Sequence, residues 1–223
     1  MSTATLSPFL EIIPKIPPGA RLIMADVPWE EYEQLLENLG DGHAAKVFYD
    51  QGVIEIMTLS SRHEKAKEIM NTLVKLIRDE LEIVIESVGS TTIHEQLRGG
   101  GAEPDESFYV GEVSHVLGYR DLDFSQDPPP DLVVEIDLTS GSMNKLPIYR
   151  RFGVKEIWQA VKFKVHIKIL TDDGYEEMSA SRLFPFLTAE VLTCFLDLGM
   201  EKGESYAARA FRAWLRENAP KAE

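Results

Sequence analysis

Residues 128–140, PPPDLVVEIDLTS, place three carboxylates in a run that otherwise reads as a buried strand. Leu132, Val133, Val134 and Ile136 are apolar and β-forming, while Asp131, Glu135 and Asp137 interrupt them. Side chains alternate along a strand, so Asp131, Val133, Glu135 and Asp137 share one face and Leu132, Val134 and Ile136 the other. Glu135 and Asp137 then lie about 6–7 Å apart along the strand, within reach of one ion. An unpaired buried carboxylate costs several kcal/mol, and two on one face also repel each other. Either their pKa values rise or a divalent cation takes the charge. All-oxygen ligation favours Mg²⁺ or Mn²⁺.

A fourth acid extends this constellation. In EPDESFYV, Asp105 follows a proline at the mouth of a strand that could pair beside 131–138. Two acids at the open ends of adjacent strands can hold a divalent ion, which acidifies a bound water and stabilises charge on a phosphate oxygen. A neighbouring lysine would orient that water or support the developing anion. Alternatives stay open for each acid. Asp105 could be a turn residue, and Asp131, after three prolines, reads better as the turn that starts the strand. Glu64 could complete the outer shell of the ion or serve the helix start at Ser60 or Ser61 as a capping box. His63 reads as a capping or solvent-facing residue, and Cys194, on an apolar helix face, as core.

The elements that must position these groups follow from periodicity. Residues 1–20 read as an irregular arm. DVPWEEYEQLLENLG is a helix with Asp26 as N-cap, Pro28 in its first turn and Gly40 at its end. AKVFYDQGVIEIMT is a β-hairpin turning at Asp50, Gln51 and Gly52. The longest helix starts at SSRHEKAK, with Ala66, Ile69, Met70, Leu73, Leu76, Ile77 and Leu81 as its apolar stripe. Three strands follow, separated by turn signals and by Gly99, Gly100 and Gly101. After 131–138 come a short helix with Pro147 near its start, three strands with a turn at Asp172, Asp173 and Gly174, and two closing helices. This order predicts an α/β or mixed α+β fold, a central mixed sheet flanked by helices, in a single domain spanning 1–223. A core at about 60–171 would be preceded by a helix and hairpin and closed by helices over 187–217.

The chain has 223 residues, enough for a substantial core. Its single cysteine excludes an internal disulfide, and no run approaches the roughly 20 apolar residues of a membrane span. A cytoplasmic protein with no membrane partner is expected. The net charge of −14 argues against nucleic acid when taken alone, but its distribution is uneven. Residues 103–137 carry a net −9 and residues 139–168 a net +6. An acidic block beside a basic one could set a metal site next to a phosphate-binding surface, or be a solvated charge pattern. No nucleophile elbow surrounds Ser60, Ser61, Ser140 or Ser142, and no glycine loop precedes a helix.

GSTTIHEQ, GAEPDESFYV, DPPPDLVVEIDLTS and LPIYRRFGVKEIW together resemble a bacterial restriction endonuclease family, long a domain of unknown function, within the PD-(D/E)XK nuclease superfamily. The resemblance runs from about Val27 to Glu217. It implies a restriction-endonuclease-like core and Mg²⁺-dependent hydrolysis of DNA phosphodiesters. It further implies that Asp105 is the first motif acid and Glu135 the second, both metal ligands; together with the placement of the acids this expects Asp137 and Glu64 in or near the coordination shell. The lysine position of the motif falls on Asp137, which departs from the pattern. Related nucleases move that lysine to a neighbouring helix, where Lys145 is the candidate; by itself Lys145 reads equally as a surface lysine. Duplex DNA as partner and a homodimer are expected on the same resemblance. A nuclease-fold module that binds nucleic acid or protein without efficient catalysis is the rival expectation.

Overall fold

A computed structural model describes residues 8–40, 45–118, 121–138 and 143–220. Arg120, Ser140 and Ser142 therefore lie outside the described residues. The architecture is mixed α+β, with a six-stranded mixed sheet covered by helices and a second, five-stranded antiparallel sheet formed largely by the N-terminal part.

The second sheet is built first in the chain. Short 3₁₀ turns at Pro8–Glu11 and Ile13–Lys15 lead to β1 (Arg21–Met24) and α1 (Trp29–Leu39). Asp26 does not cap this helix: Pro28 occupies the N-cap position, and Asp26 sits in the left-handed region at φ 59°. Gly40 ends it as expected. β2 (Ala45–Asp50) and β3 (Val53–Thr58) form the anticipated hairpin. Gln51 and Gly52 both have positive φ, as a two-residue turn matched to the strand twist requires.

α2 (Ser61–Leu81) follows, with Ser60 accepting the His63 N–H as its cap. Glu64 turns to the His63 ring, its Oε1 standing 3.1 Å from Nδ1. β4 (Ile85–Gly89) joins the larger sheet, while β5 (Ile93–Glu95) and β6 (Gly100–Ala102) complete the smaller one in the order β1-β3-β2-β6-β5. The glycine run was expected to separate strands, yet Gly100 and Gly101 form most of β6, with Gly99 ending the turn before it. A Cβ on Gly101 would stand 2.0 Å from the Tyr32 hydroxyl, so only glycine allows this strand to pass beneath α1.

The larger sheet holds the expected buried strand at its centre. β7 (Glu106–Val110) and β8 (Leu132–Asp137) are antiparallel, and β8 is parallel to β9 (Glu156–Val161), which follows α3 (Leu146–Phe152). β10 (Lys164–Thr171) and β11 (Gly174–Met178) finish the order β11-β10-β9-β8-β7-β4. Every residue of β8 is buried. The predicted alternation holds: Leu132, Val134 and Ile136 join the core under α2, α4 (Ala189–Lys202) and α5 (Glu204–Asn218), while Val133 joins the opposite cluster with Phe48, Ile148 and Tyr149. Cys194 is exposed, because Leu192, Phe195, Leu196 and Gly199 take the inward face of α4. Asp131 behaves as a turn residue, accepting the Val110 N–H at 2.9 Å and pairing with Lys155 at 2.8 Å.

Candidate active site

The two sheets meet at the carboxylates. Asp105 directly precedes β7 and is 1% exposed; its own N–H donates to the Val134 carbonyl, which locks it beside the second half of β8. Its Oδ2 accepts the Ile136 N–H at 2.7 Å. Lys46, on β2 of the other sheet, places Nζ 3.0 Å from Asp105 Oδ1, and His63 Nε2 stands 3.2 Å from Oδ2. Lys46 is also anchored by the Pro104 carbonyl. His63 is thus buried against Asp105, contrary to its expected place at a cap or in solvent, because α2 begins where the strand mouths open. Glu64, its side chain 44% exposed, stands behind His63.

Glu135 and Asp137 occupy the same face of β8. Glu135 receives two donors, Lys145 Nζ at 2.5 Å from the N-cap of α3 and the Tyr149 hydroxyl from within it. Lys145 and Tyr149 are four residues apart on one helical face, so one turn of α3 serves both carboxylate oxygens. Lys145 is buried, not a surface lysine; Nζ also lies 3.9 Å from Asp137 Oδ1 and 4.0 Å over the Phe48 ring. Asp137 accepts from Gln159 at 2.7 Å. A cleft of about 20 Å³, room for about one water, opens beside His63 and Asp137, with Gly19, Thr58 and Ser60 on its rim.

The electrostatics follow from burial and charge. Three buried carboxylates face two buried ammonium groups, leaving a surplus of negative charge when His63 is neutral. Burial pushes the Glu135 carboxyl up to about 7; Lys145 opposes this, and Asp105 and Asp137 add to it. Burial acts the same way on Asp105, but Lys46, His63 and Lys145 outweigh it and hold that carboxyl well below the usual range. Lys145 is held above its ordinary value despite burial, by Glu135, Asp137 and Asp105. Burial and the Glu135 carboxylate together raise the Tyr149 hydroxyl. The His63 ring is raised despite burial, through Asp105 and then Glu64.

The donor set suits a hard cation. Asp105 Oδ1 meets only the Lys46 ammonium among the described residues, and the Glu135 carboxyl is under repulsion that a divalent ion would relieve. Among the described residues no three His, Cys, Asp or Glu side chains stand close enough to hold a metal by themselves. An ion here would therefore be held by the Asp105 and Glu135 carboxylates, with non-side-chain ligands completing its shell.

The basic segment is largely paired. Arg151 bonds Asp50 at 2.5 Å, Lys155 bonds Asp131, Lys168 bonds Glu177 at 2.8 Å, and Arg150 donates to the Asp172 carbonyl. Sequence reasoning missed Lys46, His63 and Tyr149 as site residues. Tyr149 could have been found from its spacing of four from Lys145 on a short helix; Lys46 carries no such signal.

The family model Uma2, described as "Putative restriction endonuclease", matches residues 29–199 of the chain, from the start of α1 to within α4. Among solved structures, a chain described as "a putative nuclease belonging to DUF820" from Anabaena variabilis ATCC 29413 is 12% identical, with a TM-score of 0.46. It covers 76% of this chain and 99% of its own length. No curated protein sequence matches the chain.

Proposed function

The chain belongs to the Uma2 restriction endonuclease family, and we propose from its paired strand-mouth carboxylates that it is a Mg²⁺- or Mn²⁺-dependent endonuclease hydrolysing DNA phosphodiester bonds. The observation that carries this reading is the convergence of Asp105 and Glu135 from adjacent strands, with the Lys145 ammonium on Glu135. When bound there, a divalent ion supplies an acidified water and Lewis-acid polarisation of the phosphate.

The roles of the protein's own groups follow from their contacts. Lys46 and His63 keep Asp105 ionised and fixed in orientation. Tyr149 and Lys145 hold the two oxygens of Glu135 in place. Lys145 stands where the motif lysine is missing; its ammonium supports the negative charge that develops on the phosphate. Asp137, bonded to Gln159 and near Lys145, offsets the positive charge of the Lys145 ammonium and lines the cleft. Glu64 acts through His63. A homodimer would present two such sites to the two strands of a duplex; sedimentation at several concentrations checks it.

The test is calorimetric titration of Mg²⁺ and Mn²⁺ into the wild type and Glu135→Ala, with plasmid nicking in the same buffers. Metal binding and nicking lost together in the variant support the reading; no binding by the wild type refutes it. The pairing of the basic segment favours a second reading, a catalytically weak nuclease-fold module that binds nucleic acid or protein. That reading expects DNA binding without nicking.

A further inference from the structure

The geometry points to Glu55 as a positioning residue for Lys145, holding the chain that carries this lysine against the wall of the site. Glu55 lies on β3 and is 0% exposed. Its Oε2 accepts the backbone N–H of Met143 at 2.7 Å, two residues before Lys145. Its Oε1 is buried without a hydrogen-bond partner among the described residues. A carboxylate is a costly group to bury for a structural purpose alone, since one oxygen stays unsatisfied.

The placement gives the reason. Glu55 is paired across the strands with Phe48, so both side chains leave the same face of the sheet. The Phe48 ring lies under the Lys145 ammonium, and Lys46, two residues earlier on that face, reaches Asp105. This face of the smaller sheet is therefore the wall against which Lys145 packs. The entry to α3 needs such a tether. Lys145 itself occupies the N-cap position and makes no side-chain cap bond. Asn144 Oδ1 accepts the Leu146 N–H at 3.2 Å, and Glu55 holds the residue before it. Glu55 and Asn144 thus fix the backbone on both sides of Lys145, while Glu135 receives its head. The Met143 N–H requires an acceptor and not a charge, so glutamine can replace Glu55 in this role, whereas leucine cannot.

The inference rests on the reading that Lys145 serves phosphodiester chemistry, and its test separates the two. Full-length wild type, Glu55→Leu and Glu55→Gln are compared in three ways: DNA cleavage with Mg²⁺, hydrogen exchange at the Met143 amide, and the ¹H–¹⁵N signal of the Lys145 ammonium. Measurements are made well below each variant's melting temperature. In Glu55→Leu the expected result is a fall in kcat of about 100-fold with KM little changed, the scale of a misplaced catalytic group. Met143 protection and the sheltered Lys145 signal are lost with it, and Glu55→Gln restores all three. Intact protection in Glu55→Leu, or lost protection with unchanged kcat, overturns the inference. If the wild type cleaves no DNA, the functional reading fails; the positioning role is then decided by the Lys145 signal, which must move in Glu55→Leu and return in Glu55→Gln. Should Glu55→Leu not fold, Glu55→Met removes the same acceptor with a more adaptable side chain and is read by the same criteria.

Discussion

Protonation of Glu135 ties metal binding to pH. The carboxyl is buried beside Asp105 and Asp137 and is pushed up to about 7 from its ordinary 4.5. Between these values the folded protein keeps a proton that the unfolded chain has released, so stability falls as pH rises through this window. At about 1.4 kcal/mol per pH unit, the full difference is about 3 kcal/mol, complete above pH 7 and absent below 4.5. A divalent ion on Glu135 requires the ionised form. At pH 6 roughly nine in ten Glu135 carboxyls hold a proton, so Mg²⁺ binding should release close to one proton there and almost none at pH 8. Apparent affinity should weaken by about tenfold per pH unit below 7. The assay is calorimetry in two buffers of different ionisation enthalpy, at each pH, on wild type and Glu135→Gln. In metal-free urea melts, Glu135→Gln should also lose the fall in stability between pH 5 and 7. Equal proton release at pH 6 and 8, or melts of the variant that run parallel to the wild type, would refute the reasoning.

Other perturbations test the positioning of the site and the frame around it. Lys46→Met leaves Asp105 without its ammonium partner and should cost about 3–5 kcal/mol in urea unfolding, with cleavage lost even where the protein stays folded. Gly101→Ala drives a methyl into Tyr32 and should cost about 1–3 kcal/mol; Tyr32→Phe in the same chain relieves part of it, as a double-mutant cycle will show. Glu156 is 1% exposed and accepts from the Trp158 indole at 2.6 Å and from the Arg182 and Leu183 amides, so it pins the turn before α4. Glu156→Ala should lower stability by about 2–4 kcal/mol in thermal or urea melts without changing metal affinity.

Much of the frame is legible in the sequence because it obeys local periodicity. The two-residue alternation of β8 separates Glu135 and Asp137 from Leu132, Val134 and Ile136, and the structure sends those sets to opposite faces. The long helix, the hairpin turn at Gln51 and Gly52 and the closing helices follow from the same local rules. Expectations failed where a tertiary neighbour overrode a local signal. The glycines of β6 read as a break between strands, yet Gly101 is a glycine because Tyr32 leaves no room for a side chain, and Gly100 lies against Arg151. Cys194 looked like core because its helix is apolar on more than one side, and packing against the sheet chose the other side.

The sequence by itself determined that Glu135 and Asp137 share one face of β8. A carboxylate is costly inside a strand, and period two decides its face wherever the strand lies. What it could not determine is which cations meet those acids. Lys46 reaches Asp105, and Glu55 reaches the chain of Lys145, only because two sheets built from distant segments close on each other, and His63 reaches Asp105 because α2 starts at that junction. Pairing across such separations leaves no periodic trace in the chain. It is decided by the energy of packing one sheet face on another and by the need of each buried charge for a partner.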